Sequence, residues 1–471
     1  MVASFCLIKE ANINTNTMPI TQPIRLPFDA RSLSYRRGIW LAYPALFVLL
    51  AGDGVRYTIG WTGFAILSAL FVVAAGVALA VKGSKELFRR LPLSLIAILS
   101  FMGLSTIWSQ YQLQTFGATV LQFATTVVAL FFANQFDWRQ LLNIFANTIR
   151  FILIVSLILE LIAAFTGPIK PLFPNFEGDT PPAAAYWWVQ GNLFNYERIQ
   201  GFPGNANLIS FIAVLGLVTF FVEYIVTAGK KQIPLASFIA AAVTVALAKS
   251  ASMTVALLIV FLAALVAILA EGKPKEQRIK IYIRTLWSGV FAVFLTLVYW
   301  VELTDLLGKS PDASGRFTIW QKVWMLITER PLEGWGWISH WLPGLEPFEG
   351  LVVINKVPQY HAHNAFLDVW MQLGVLGLGL FIWLLTSTLV RVWKIAVLHT
   401  NPLYLWPLFA FMVILTQALT ESRLLVEIGW VLLVLLAVKG REPFEELEPL
   451  GSSTKLKKLL RAPLRALGRK A

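Results

Sequence analysis

The stretch SGRFTIWQKVWMLITERPLEGWGW, Ser314–Trp337, and the later HAHNAFLDVWMQLGVLG, His361–Gly377, frame the longest polar interruption in an otherwise apolar sequence. Three of the four histidines, His340, His361 and His363, fall within it. Arg316 heads a run in which Phe317, Trp320, Trp324 and Ile327 recur at intervals of three and four. That is the spacing of one helix face, and it predicts an amphipathic helix lying on a surface. Pro331, Gly334 and Gly336 end the helix, and a loop rich in Gly and Pro leads to His361, His363 and Asn364 at the start of the next apolar span. A basic residue, an interfacial helix and a histidine pair are therefore expected at one membrane face.

Outward from this stretch the sequence is apolar in both directions. Hydrophobic residues make up 57% of the chain and charged residues 14%, with a mean hydropathy of +0.68. A soluble domain carries about 25% charged residues, so the expected fold class is an all-α polytopic membrane protein. A spanning helix needs about 20 mostly apolar residues, and about twelve segments qualify. They run from 39 to 51, 59 to 81, 93 to 109, 116 to 134, 144 to 166, 205 to 227, 232 to 248, 251 to 270, 284 to 302, 365 to 390, 403 to 421 and 424 to 438. The organisation expected is a basic leader (1–38), nine spans within 39–302 that include an outer loop at 167–204, a large loop (303–364), three further spans within 365–438, and a basic tail (439–471).

The formal charge is +13, which invites a nucleic-acid partner until its distribution is read. Arg25, Arg31, Arg36 and Arg37 precede the first span, and Lys82, Lys85, Arg89 and Arg90 follow the second. Lys230 and Lys231 follow the sixth, Lys273 to Arg284 the eighth, Arg391 and Lys394 the tenth, and the tail is basic throughout. Every second loop is positive. The positive-inside rule then places both termini in the cytoplasm and the loops 167–204 and 303–364 outside, so the charge is topological and no nucleic acid is expected. Cys6, the one cysteine, excludes an intramolecular disulfide and a thiolate metal cluster. The tail segment 453–469 interleaves Leu with basic residues, as a surface helix on anionic lipid or a solvated tail would.

Polar residues against the topological pattern are the candidates for chemistry. The loop ending at Gly204 carries Arg198, then Asn205 and Asn207, immediately before the sixth span. Gly and Asn at a helix entry expose backbone N–H groups to an anion, and Arg supplies a forked donor to phosphate oxygens. An ordinary capped entry, with Asn205 or Asn207 as the cap, fits the same residues. Lys249 lies between the seventh and eighth spans on the expected outer face, either snorkelling or serving as a third cation beside Arg198 and Arg316. Arg423 is a fourth cation or the local partner of Glu421. Asp53 and Arg56 read as a solvated turn pair. Glu160, inside the fifth span, is either functional or hydrogen-bonded near its helix end.

The order Arg198 to Asn207, Lys249 to Ser252, Ser314 to Arg316 with Trp320, Pro331 to Trp337, and His361 to Asn364 followed by Gly374 and Gly377 resembles the O-antigen ligase and polymerase family of bacterial envelope glycosyltransferases. The resemblance covers about 198 to 380 in motif and the whole chain in topology. It implies about a dozen spans in a C-type glycosyltransferase-like fold, and transfer of a glycan from a polyprenyl (undecaprenyl) pyrophosphate to a lipid, glycan or other hydroxyl acceptor outside the cytoplasmic membrane. One departure is Lys249, where relatives often place Arg.

The residues suit that chemistry. A departing pyrophosphate needs its growing charge stabilised, which Arg316 with Arg198 and Lys249 would do, with Asn205, Asn207 and Asn364 as further substrate contacts. An acceptor hydroxyl needs a base, and His363 is the first choice, with His361 second. Direct in-line attack would invert the anomeric centre. No Asp-x-Asp pair lies on the expected outer face, so no metal and no cofactor are expected. For the histidines alone, plain loop residues or a zinc site remain open, although no third ligand is evident.

Overall fold

The computed structural model describes residues 33–173, 187–270, 273–299, 315–354, 357–399 and 401–442. The leader to residue 32, the tail from 443, residues 174–186 and the first part of the large loop, 303–314, lie outside the described residues. Among the described residues there are fourteen α-helices and a two-residue antiparallel pair, Val353–Ile354 with Val357–Pro358. The helices are α1 (Leu33–Leu50), α2 (Gly52–Lys82), α3 (Lys85–Arg89), α4 (Leu93–Leu104), α5 (Gln112–Gln135), α6 (Trp138–Thr166) and α7 (Ala206–Val226). They continue with α8 (Gln232–Ala248), α9 (Ala251–Ala270), α10 (Lys275–Val298), α11 (Arg316–Glu329), α12 (Ala365–Leu398), α13 (Leu405–Ala418) and α14 (Glu427–Lys439).

Among the described residues, each of the twelve apolar segments overlaps one of these helices. α2, α5, α6, α7, α9 and α12 are long and apolar enough to cross a membrane, and four shorter apolar helices accompany them. The chain is a polytopic membrane protein. Its interior is made by α7, α13 and α14: 72% of the most apolar window of α7 is buried, against 6% for α2. α2 therefore lies at the periphery, with Ile66, Leu70, Val73 and Val77 exposed as residues facing lipid would be.

The bundle has two chemically different ends. At one, Lys82 donates to the Asn134 carbonyl, Lys439 reaches Glu442 at 2.8 Å, Arg90 reaches Glu442 at 3.3 Å, and Arg441 donates to the Leu91 carbonyl at 2.8 Å. The same end starts α6 with a capping box, in which Asp137 accepts from the Gln140 N–H and the Gln140 side chain accepts from the Asp137 N–H. The other end carries the long loops and every residue considered below.

The stretch quoted first is built on one junction. α12 breaks at Gly374, whose φ of 64° and ψ of −172° leave the carbonyls of Met371 and Gln372 without helical partners. Trp335 and Gly336 supply them, donating their N–H groups at 3.0 and 2.8 Å, while the Val375 N–H bonds the Pro331 carbonyl at 2.9 Å. A Cβ at Gly374 would stand 1.9 Å from the Leu332 oxygen. Only glycine permits that approach, so the segment Pro331–Trp337 is threaded into the break and fixes where α11 lies against α12.

α11 forms where its periodicity predicts, but its buried face is turned from the expected one, keeping Ile327 and part of Trp320 while leaving Phe317 and Trp324 out. Ile319, Val323, Leu326 and Ile327 pack into a cluster with Trp335, Ile338, Trp341, Phe348 and Met371, whereas Phe317 and Trp324 remain largely exposed. Aliphatic side chains fill the narrow space over the junction, and the larger rings border it. Trp324 packs edge-on to Trp370, and the Trp320 Nε1–H donates to the Ala362 carbonyl at 3.0 Å.

Candidate active site

Glu421, in the short connection between α13 and α14, is the common partner of residues distant in sequence. Its Oε1 accepts from the Arg316 guanidinium at 3.1 Å and from the Asn207 amide at 3.0 Å, and its Oε2 lies 2.8 Å from His363 Nδ1. Asn207 in turn accepts from the Arg198 guanidinium. Arg198 and Arg316 are thereby joined to His363 through one carboxylate and one amide. The Glu421 side chain is 9% exposed. Burial by itself would raise its carboxyl, yet the facing His363, Arg316 and Arg423 hold it below the usual value. Burial, followed by the neighbouring Arg316, pulls the Arg198 guanidinium below its ordinary value.

Local structure fixes each member. Asn205 is the cap of α7, accepting from the N–H groups of Asn207 and Leu208 at 2.9 and 3.1 Å, which turns the Asn207 side chain towards Glu421. Asn364 caps α12 in the same way, through Phe366 and Leu367, and its amide donates to the Leu419 carbonyl at 3.3 Å. Two of the three candidate asparagines thus use their side-chain oxygens on the backbone, and Asn207 is the one in the charged cluster. Arg198 is steadied by the Ala248 carbonyl at 3.0 Å. Lys249 has left-handed backbone at the end of α8 and its ammonium donates to the Tyr196 carbonyl, beside the cluster in the loop that carries Arg198.

His363 also has positive φ, 50°, a conformation held against its cost by three contacts. Its N–H donates to His361 Nδ1 at 3.1 Å, its Nδ1 faces Glu421, and its Nε2 lies 3.0 Å from the Gln359 side-chain oxygen, whose NH₂ is spent on the Val357 carbonyl. Both ring nitrogens face oxygens; the carboxylate at Nδ1 favours a proton there, and Nε2 can receive one only where the Gln359 oxygen turns away from it. The His361 ring lies 3.9 Å, centre to centre, from that of His363. Burial and the neighbouring His363 and His340 rings depress the His361 imidazole well below its normal value, and burial with Arg423 takes His340 down to about 4.

The loop holding these histidines is anchored by Asp368 in the first turn of α12. Its carboxylate accepts from the Ala362 N–H at 2.9 Å, from the Trp341 indole at 3.0 Å and from the Ser422 hydroxyl, tying His363 to the segment that carries Glu421. Glu160 performs a similar task, accepting from the N–H groups of Gln200 and Gly201 at 2.7 Å each. This is the hydrogen-bonded alternative, and it orders the loop behind Arg198.

Two readings change. Arg423 acts on Glu421 through its charge, but its hydrogen bonds go elsewhere: it donates to Asp53 at 2.6 Å and reaches Glu427 at 3.5 Å. Asp53 and Arg56 are paired, but not as a solvated turn, because Arg56 is buried and also donates to Glu427. Burial turns a local pair into a four-membered network, since each desolvated charge requires more than one partner. Gln359 went unrecognised in the sequence, and Glu421 was named only as a local partner of Arg423; neither belongs to a motif. Glu421 also supplies the third ligand type that His361 and His363 lacked: one ligand atom from each lies within 4.8 Å of the others. Those atoms could hold a metal ion, in competition with the hydrogen bonds already described.

Residues 236–382 match the family model described as O-antigen ligase. The chain is 26% identical over 119 residues to the exopolysaccharide production protein ExoQ of Rhizobium meliloti (strain 1021), covering 24% of this chain. The match spans about a quarter, 27%, of that relative's length. Lys249, Arg316, His361, His363 and Asn364 fall within the family segment, whereas Arg198, Asn207 and Glu421 come to them from outside it. Residues 236–382, which contain the Arg316 helix, the junction at Gly374 and the histidine pair, are the part of the chain that is similar to the O-antigen ligase family.

Proposed function

We propose that this protein is an O-antigen ligase-like glycosyltransferase that moves a glycan from a polyprenyl (undecaprenyl) pyrophosphate to an acceptor hydroxyl at the outer face of the bacterial cytoplasmic membrane. The observation that carries the proposal is the Glu421 carboxylate shared by Arg316, by His363 and, through Asn207, by Arg198. The arginines would receive the departing diphosphate, in a low-dielectric setting where their effect is large. His363 Nε2 would take the acceptor proton, while Glu421 holds the ring and offsets the positive charge it gains. Gln359 would yield its place on Nε2 to the acceptor. In-line attack inverts the anomeric carbon, and with arginines serving the diphosphate the reaction runs without metal; activity unchanged by chelator supports this, and activity lost to it favours a metal held by His361, His363 and Glu421.

Twelve spans with both termini cytoplasmic fit the basic residues gathered at the end opposite the cluster. The exopolysaccharide production named for the Rhizobium relative favours a second reading, a polymerase joining polysaccharide repeat units. His363→Ala in cells separates them. Unattached long lipid-linked chains indicate ligation, single repeat units indicate polymerisation, and normal envelope glycans overturn both. A transporter or flippase would move substrate in liposomes without forming a glycosidic bond.

A further inference from the structure

Gln359 is held in a fixed frame. Its N–H donates to the Val352 carbonyl at 2.9 Å, which extends by one residue the pairing of Val353–Ile354 with Val357–Pro358. The adjoining Tyr360 carbonyl accepts from the Trp341 N–H at 2.9 Å, and Val352 is buried in the cluster that takes the inner face of α11. Ile354 rests on Gly315, where an added Cβ would stand 2.5 Å from its Cδ1. The Gln359 side-chain NH₂ is committed to the Val357 carbonyl at 3.0 Å, so the amide turns its oxygen to His363 Nε2, also at 3.0 Å. That is the distance and the place an attacking hydroxyl needs in order to give its proton to the ring. The His363 side chain is 21% exposed, so solvent reaches the ring.

We propose that Gln359 guards the base: its oxygen holds the nucleophile's place on His363 Nε2, yields it to the acceptor hydroxyl and withholds it from water, so that the lipid-linked donor is not hydrolysed while no acceptor is bound. This rests on the proposed function. Transfer and hydrolysis differ only in the attacking oxygen. In both, that oxygen bonds to the anomeric carbon, the bond from this carbon to the diphosphate oxygen breaks, and the proton goes to Nε2; with water the product is free glycan. Water fits any site that admits a hydroxyl, so shape alone cannot reject it. An acceptor held by further contacts along its length can displace a tethered amide oxygen. Water arrives with a hydrogen bond alone, exchanges one contact for an equivalent one, and gives up its own freedom to replace a group the backbone already holds in position. Gln359 acts through His363 and is therefore a positioning residue that sets which nucleophile is used.

The test gives purified full-length protein the lipid-linked donor alone and counts free glycan over time. Gln359→Ala releases it about tenfold faster than wild type, and its acceptor KM falls about tenfold with kcat little changed, because no amide has to be displaced. Gln359→Asn, one carbon too short to reach Nε2, behaves in the same way. Gln359→Glu keeps an oxygen on Nε2 and releases glycan no faster than wild type. Damage to the hairpin would slow both reactions, so faster hydrolysis is a result that a merely structural role does not produce. The guard is also read without turnover, by the rate at which diethyl pyrocarbonate adds to the His363 ring, followed by peptide mass spectrometry. Gln359→Ala is labelled there about tenfold faster than wild type, and Gln359→Glu is not. Hydrolysis no faster in Gln359→Ala and Gln359→Asn than in a wild type that transfers glycan, with unchanged thermal unfolding, overturns the guard. Faster labelling of His363 in Gln359→Ala, with transfer absent even from wild type, leaves the amide guarding the ring and sinks the proposed function.

Discussion

Glu421 and Arg423 are two residues apart, yet each belongs to a different charged cluster. Around Arg423 the charges close on themselves: two arginines, Arg56 and Arg423, meet two carboxylates, Asp53 and Glu427, and each carboxylate contacts both arginines. Around Glu421 a single carboxylate faces Arg316, His363 and the amide that holds Arg198. The first is balanced and needs nothing more. The second gathers Arg316, His363 and, through Asn207, Arg198 about one carboxylate, and the His363 Nε2 faces the Gln359 side-chain oxygen, which can be displaced. Desolvated charge that is internally matched serves architecture, while cations and an imidazole gathered about one carboxylate point to a substrate arriving from outside.

The contrast breaks most directly if Arg316→Ala and His363→Ala fail to abolish transfer. Each is expected to lower the rate by about 10²- to 10⁴-fold, measured on purified protein with a lipid-linked donor, while thermal unfolding moves little. Glu421→Gln keeps the shape and removes the charge that orients His363 and Arg316, and a loss on the order of 10²-fold is expected. Retained activity would assign Glu421 a purely structural part.

On the balanced side the expected loss is in stability. Arg423→Ala leaves Asp53 and Glu427 facing Arg56 alone and should cost about 3 kcal/mol in a denaturant titration. An unfolding curve that does not move would show the network to be solvated after all.

Acid sharpens the same comparison. His340 is held down to about 4 and His361 well below its ordinary value, so between pH 6.5 and about 4 the unfolded chain binds protons that the folded chain refuses. Stability therefore falls as pH drops through that window, and His340→Gln should flatten the fall. The lowered Glu421 carboxyl acts in the same direction further down. Its stabilisation is present above its unfolded value of 4.5 and is lost as pH falls through its depressed folded value, a loss that Glu421→Gln lacks.

The smallest effect belongs to Lys249→Ala. Its ammonium is engaged by the Tyr196 carbonyl on an exposed hairpin, and transfer is expected to change by less than about fivefold. A larger loss would make it a third diphosphate cation.

The apolar runs by themselves determined the membrane class and the positions of the twelve apolar helices, because helix length against lipid is set by local composition; α11 was legible from its own periodicity and α3 was not foreseen. The positions of Arg198, Arg316 and His363 in their loops were equally legible, since cations and histidines stand out where the charge pattern does not call for them. Tertiary structure alone decided what these residues face. Glu421 lies 58 residues from His363 and 214 from Asn207, and nothing near it in sequence marks it as their shared partner. The buried face of α11 was likewise set by the junction at Gly374 and not by its aromatic stripe. Burial and pairing depend on which segments meet in space, and a one-dimensional pattern records neither the meeting nor the charge balance that results from it.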